Sequence, residues 1–205
     1  MRDFFNMDCL EGMKNYPDKY FNLAIVDPPY GINAGKMTMG SGKHHFTQGK
    51  TWDEGIPDAE YFAELSRVSK RQVIWGGNYF TEYLKPSANW IVWDKLNPNL
   101  SFAEGELAWM NEGNNLRIFK YYTVKSATED TKIHPTQKPI ALYKWILQNY
   151  AKPGDIILDT HVGSASSLIA CEELGFDYVG FEIDPEYYQK ATQRINEFNQ
   201  QIRMF

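Results

Sequence analysis

Ile156-Ile157-Leu158-Asp159-Thr160-His161-Val162-Gly163-Ser164-Ala165-Ser166 is the stretch on which the fold turns. Three aliphatic residues form a strand-sized run, an acid closes it, and small residues lead into a helix expected over 164–174. Gly175 suits a left-handed cap at the end of that helix. Small side chains in such a turn let a ligand approach the backbone, and the first helical amides face it. Glu182 ends the next expected strand, 178–183, and stands 23 positions after Asp159. That is close to the spacing at which an acid meets ribose hydroxyls, with Asp184 an alternative carboxylate. The turn carries one glycine, not the three of a dinucleotide fingerprint, so a dinucleotide is disfavoured.

Outward from this unit, strands and helices alternate. An apolar strand over 20–26 stops at Asp27-Pro28-Pro29. A helix over 57–70 carries Tyr61, Phe62, Leu65 and Val68 at helical spacing, and strands follow over 72–75 and 90–93. Helices are expected over 139–150 and 185–198, the latter opened by Pro185. Such alternation implies βαβ units, hence an α/β fold with a doubly wound, mainly parallel sheet, as one domain spanning 1–205. Two segments escape it. Residues 31–56 are Gly-rich and polar, and are expected to be a mobile loop. Residues 97–133 hint at strands over 107–110 and 116–121, and read as a small insertion. Loops this long inside a domain are usually functional.

The composition, 43% hydrophobic and 23% charged, excludes wholesale disorder. The longest apolar stretches, 23–26 and 156–158, are strand-sized, so no helical membrane span is expected. The N-terminus lacks a secretory apolar core, and two cysteines, Cys9 and Cys171, make neither a disulfide framework nor a zinc set. A cytoplasmic protein is expected. His44-His45 has no further ligands in pattern, so no metal is expected. A net charge of −5 argues against a protein that coats nucleic acid, yet leaves room for a local basic face.

Asp27-Pro28-Pro29-Tyr30 lies where open α/β sheets place ligands, at the carboxyl end of a strand. Two prolines fix φ twice and remove two backbone donors. What remains is a rigid corner of acceptors beside an aromatic ring, suited to a planar ring bearing an amine.

The chain resembles the amino-type S-adenosylmethionine-dependent DNA methyltransferases, which modify adenine N6 or cytosine N4. The resemblance runs through nearly the whole chain. It rests on Asn6-Met7-Asp8-Cys9-Leu10-Glu11, Asp27-Pro28-Pro29-Tyr30, Trp75-Gly76-Gly77-Asn78-Tyr79-Phe80 and Trp90-Ile91-Val92-Trp93-Asp94-Lys95. It continues with His134-Pro135-Thr136-Gln137-Lys138-Pro139, the 159–166 turn and Gly180-Phe181-Glu182-Ile183-Asp184. The tetrapeptide comes first and the cofactor turn last, the circularly permuted motif order of the β group on a Rossmann-like methyltransferase sheet. The family's turn usually reads Asp-Pro-Phe-x-Gly-x-Gly-Thr. Here Thr160 and His161 replace Pro and Phe, Ala165 the second Gly and Ser166 the Thr.

The resemblance implies S-adenosylmethionine as cofactor and a flipped base in double-stranded DNA as substrate. Asp27 and the Pro28 carbonyl would each accept one amine hydrogen, within a corner stiffened by Pro29, and Tyr30 would stack on the base. Asp8 and the Cys9 backbone would meet the adenine of the cofactor, and Glu182 its ribose. His134, Thr136 and Lys138 would take the methionine carboxylate end, with Asp27 close to the methyl group. Asp159, His161, Gly163 and Ser164 would form the cofactor turn. Asp at the first tetrapeptide position favours adenine N6. Cytosine N4 is the alternative, followed by RNA adenine methylation and a catalytically idle nucleic-acid-binding module.

Two stretches are locally basic. Lys36, Lys43 and Lys50 lie within 31–50, and Arg117, Lys120 and Lys125 within 114–138, both with aromatics nearby. They suit phosphate contacts and local reading of the duplex. The recognition segment, 97–133, is short, so a second copy of the chain would complete the DNA cleft.

Overall fold

β2 (Phe21–Val26) is buried on both faces. Leu23 and Ile25 join one core cluster, Ala24 and Val26 the other, and each is at most 1% exposed. A strand covered on both sides belongs inside a parallel sheet sandwiched by helices. The computed structural model describes residues 1–34, 53–98, 103–122 and 133–203.

The strands besides β2 are β1 (Arg2–Asn6), β3 (Ser69–Trp75), β4 (Trp90–Asp94), β5 (Gly105–Met110), β6 (Arg117–Lys120), β7 (Ile156–Asp159) and β8 (Asp177–Glu182). The helices are α1 (Cys9–Met13), α2 (Ala59–Val68), α3 (Ile140–Tyr150), α4 (Ser166–Leu174) and α5 (Pro185–Arg203). The sheet runs β1-β8-β7-β2-β3-β5-β4-β6, with β5 alone antiparallel to its neighbours. Side chains of α1 and α2 fill one face. Those of α3, α4 and α5 fill the other, around the fully buried Trp75.

α2 shows the local logic. Asp58 caps it by accepting from the Tyr61 amide at 3.1 Å, and Tyr61, Phe62, Leu65 and Val68 bury one stripe. Each such side chain contributes about 1.5–3 kcal/mol. The helix expected to reach residue 70 stops at Val68, because Ser69 already pairs with Phe21 and begins β3. Sheet pairing overrides helical periodicity there.

β1 has no apolar alternation and was not legible as a strand; pairing with β8 makes it one. The 97–133 segment, expected as an insertion, contributes β5 and β6 to the sheet itself, with β5 between β3 and β4.

The feature that positions the site is the adjacency of β7 and β2. The chain leaves β7 for α4 and β8, and leaves β2 for α2 and β3, in opposite directions across the sheet. The loops part between these strands and open a crevice at their carboxyl ends, the switch point where ligands bind in such folds. Among the described residues no helix is long and apolar enough to cross a membrane.

Candidate active site

The turn after β7 is held from below. Asp159 is 3% exposed; it accepts from the His161 amide at 3.0 Å and from the Ser167 hydroxyl. Expected to touch a cofactor, it instead organises the turn and does not line the cavity. Burial pushes its carboxyl up to about 7. Gly163 and Ala165 both have left-handed backbones, φ +53° and +64°. Ala165 therefore carries the strain that the family's second glycine would avoid. From α5, the Arg194 guanidinium donates to the Ser164 carbonyl and, at 3.2 Å, to the Ser166 hydroxyl.

Glu182 ends β8 beside this turn. It accepts from the Gly163 amide at 2.8 Å and the Asp184 amide at 2.9 Å. Burial raises its carboxyl above the ordinary range, against those bonds. Each oxygen keeps a lone pair for a hydroxyl donor.

A cavity of about 350 Å³ opens over the turn. It is lined by Asp8 and Cys9 from the start of α1, by Asp27 and Pro29 after β2, and by His161, Gly163, Ser164 and Glu182. His134, Thr136 and Lys138, from the segment before α3, close another wall. Asp8 caps α1 with one oxygen, accepting from Leu10 and Glu11 amides, which leaves its second oxygen for a ligand. Burial pushes the Cys9 thiol up to about 12, so it stays neutral and unreactive. His134 packs on Tyr187 at 4.4 Å and binds the Thr136 hydroxyl at 3.1 Å.

The departures from the family's turn have a local partner. The Tyr61 hydroxyl meets Thr160 Oγ1 at 2.7 Å, and Thr160 Oγ1 meets His161 Nδ1 at 2.9 Å. The two residues thus tie the cofactor turn to α2. Burial lowers His161 to about 4, so its imidazole is neutral near pH 7.

At the inner end of the cavity lies the Asp27 carboxylate. The Tyr30 hydroxyl donates to Oδ1 at 2.5 Å, and the Lys138 ammonium to Oδ2 at 2.5 Å. Lys138 is 4% exposed and also lies 3.0 Å from Glu106 on β5. Lys138 therefore lies on the cavity wall where it was expected, with its ammonium shared between two acids. Burial raises Asp27 above the usual carboxylate range, opposed chiefly by Lys138. Burial would also raise Glu106, but Lys138 and Lys95 hold it down at about 2. Tyr30 stays a neutral donor, because burial and Asp27 push its phenol well above 10.

Tyr30 and Pro28 do not line the cavity. The Tyr30 ring, expected to meet a base, stacks on Tyr79 at 5.0 Å and 13°, and Tyr79 is 44% exposed. Gly76 lies against that ring, where a Cβ would come within 2.2 Å of it. Asp53, 2% exposed, ties down the following loop by accepting from the amides of Tyr30, Gly31 and Ala34 at 2.7–2.9 Å.

Of the expected DNA contacts, Lys120 is exposed at the carboxyl end of β6, on the cavity side of the sheet. Arg117 opens the same edge strand at its other end, beside Asn149 near the end of α3, away from the cavity. Lys36, Lys43, Lys50 and Lys125 lie outside the described residues.

Sequence reasoning missed Asp53, Glu106 and Tyr79 as parts of the site. Tyr79 had a signal, its place after Gly76-Gly77. Asp53 and Glu106 had none, since each reaches the site from a segment remote in sequence.

A family model described as DNA methylase, of the N6/N4 methyltransferases, matches residues 109–193. The type II methyltransferase M.HinfI of Haemophilus influenzae is 25% identical over 96% of this chain and 70% of its own length. Among solved structures, an M1.HpyAVI–SAM complex matches with a TM-score of 0.64 at 23% identity, covering 96% of this chain and all of that one. The PvuII DNA methyltransferase, described as cytosine-N4-specific, matches at 0.61 and 13% identity, over 96% of this chain and 89% of its own. The structural matches establish the fold, and the sequence matches bear out the resemblance read from the motifs.

Proposed function

We propose that this chain, a relative of the amino DNA methyltransferases, moves a methyl group from S-adenosylmethionine to an exocyclic amine of a DNA base, adenine N6 in preference to cytosine N4. The observation that carries the reading is that Asp27, after β2, opens into the same cavity as Glu182 and the Gly163 turn.

The donor set fits the cofactor. Glu182 would take the ribose hydroxyls, the free oxygen of Asp8 the adenine amine beside the Cys9 backbone, and His134 and Thr136 the methionine end. Gly163 and Ser164 allow close approach to the backbone. When bound, the cofactor supplies an electrophilic methyl on a sulfonium, which leaves as a neutral thioether. The amine of a base is a poor nucleophile because its lone pair is conjugated into the ring. Asp27 and the Pro28 carbonyl would each accept one amine hydrogen and so draw the nitrogen toward tetrahedral geometry. The surplus proton left on nitrogen after transfer would pass to the Asp27 carboxylate. Extruding a base costs a few kcal/mol. Stacking on an aromatic ring returns about 1–3 kcal/mol, and the Tyr30–Tyr79 pair offers the rings. Lys120 would meet phosphate.

Labelled S-adenosylmethionine, unmethylated DNA and nucleoside mass spectrometry test this reading. N6-methyladenine is expected, and Asp27→Ala should abolish it while cofactor binding persists. N4-methylcytosine would reassign the base. Full activity in Asp27→Ala would refute the mechanism.

A further inference from the structure

Lys95, Glu106, Lys138 and Asp27 form a string of alternating charge that ends at the reacting corner. Lys95 Nζ stands 2.6 Å from one Glu106 oxygen, and Lys138 Nζ stands 3.0 Å from the other. The same Lys138 nitrogen lies 2.5 Å from Asp27 Oδ2. The residues come from β5, from the loop after β4, from the segment before α3 and from the loop after β2. Only the assembled sheet brings them together.

Buried ion pairs seldom repay their desolvation, so stability is a poor reason for such a string. Its geometry has a better one. Lys138 occupies one lone pair of Oδ2 and Tyr30 one of Oδ1, which turns the carboxylate plane and leaves one lone pair on each oxygen. Glu106 draws Lys138 from the other side, so the ammonium is shared and does not neutralise Asp27 alone. We infer that Glu106 and Lys138 are positioning residues that hold the Asp27 carboxylate in the orientation and charge state that its amine substrate requires, an inference that rests on the methyl-transfer reading above.

The groups facing Asp27 are Lys138, Glu106 and Tyr30, with Tyr61 of α2, Tyr143 of α3 and Asp159 of β7. The tyrosines are neutral at working pH, so the two ions of opposite sign dominate. Removing each should move Asp27 in opposite directions. Lys138→Met deletes the cation that opposes burial, and Asp27 should titrate higher. Glu106→Gln deletes an anion facing it, and Asp27 should titrate lower. Unit charges at this range predict displacements of about one pH unit or more.

The experiment follows the Asp27 carboxyl by carbon-13 NMR, assigned by its loss in Asp27→Asn, and in parallel the pH dependence of kcat. Opposed shifts in the two variants, tracked by the acid limb of kcat, are expected. Affinity for S-adenosylmethionine should stay within about threefold in Glu106→Gln, because Glu106 does not line the cavity. A merely structural role would lower activity without opposed shifts, and that result overturns the inference. Should Glu106→Gln fail to fold, Lys138→Met decides alone: an upward shift supports the inference and none overturns it. Wild-type protein that binds the cofactor but labels no DNA would overturn the methyl-transfer reading, and with it the catalytic half of this inference, whatever the titrations show.

Discussion

Asp53→Asn separates the placement of Tyr30 from the binding of cofactor. In the wild type one carboxylate oxygen accepts from the amides of Tyr30 and Gly31, and the other from that of Ala34. Asparagine has nearly the same shape but one acceptor atom. With its oxygen toward Tyr30 and Gly31, its NH2 group confronts the Ala34 amide, donor against donor; a flipped amide orphans two donors instead of one. Turning two charge-assisted bonds into neutral ones loses about 1 kcal/mol each, and the third bond with its stranded donor about 2 more. The total, roughly 4 kcal/mol, falls on the 30–34 loop, which can open without unfolding the sheet. The melting temperature should therefore drop by only a few degrees while Tyr30 loses its fixed position over Asp27. Methyl transfer should fall at least tenfold, with affinity for S-adenosylmethionine, read by calorimetry, nearly unchanged because Asp53 is outside the cavity. Wild-type kcat in Asp53→Asn would refute the argument that this carboxylate sets the corner.

Three further outcomes follow from the geometry. Glu182→Ala should weaken cofactor binding at least about tenfold, since charge-assisted bonds to hydroxyls and the anchor of the Gly163 amide are lost together; unchanged affinity removes the ribose assignment. Gly76→Ala places a methyl group 2.2 Å from the Tyr30 ring on a backbone at φ +69°, and should cost about 3 kcal/mol by denaturant unfolding, with loss of activity. Asp159 binds its proton more tightly folded than unfolded, so its contribution to stability is largest at low pH. That contribution declines as pH rises from about 4 to about 7. Asp159→Asn should flatten this part of the stability–pH curve, and parallel wild-type and variant curves would contradict it.

Much of the cofactor side is readable without coordinates, because it is built from local chemistry. A strand, a small-residue turn and a capped helix are contiguous, and Glu182 follows one βα unit later. All but Asp159 of the residues expected around the cofactor face one cavity. Asp159 departs because the strand end that marks it in sequence is buried under the turn, where Ser167 and the His161 amide claim both oxygens. A lysine between two prolines is readable as functional, but the two acids that hold Lys138 are not, because they come from the loop after β2 and from β5.

The backbone rules of the chain, short-range and written in adjacent residues, mark most of the strands and helices and the permuted order of their motifs, though β1 and the end of α2 are set by sheet pairing. Long-range closure decides the rest. β2 and β7 become neighbours only when the sheet forms, and that adjacency sets the tetrapeptide over the cofactor turn. The insertion of β5 beside β3 carries Glu106 to Lys138, and a loop more than twenty residues away returns Asp53 to the amide of Tyr30. Charge and hydrogen bonding act through space in a dry interior, so residues with no local pattern can govern the group whose pattern is plainest.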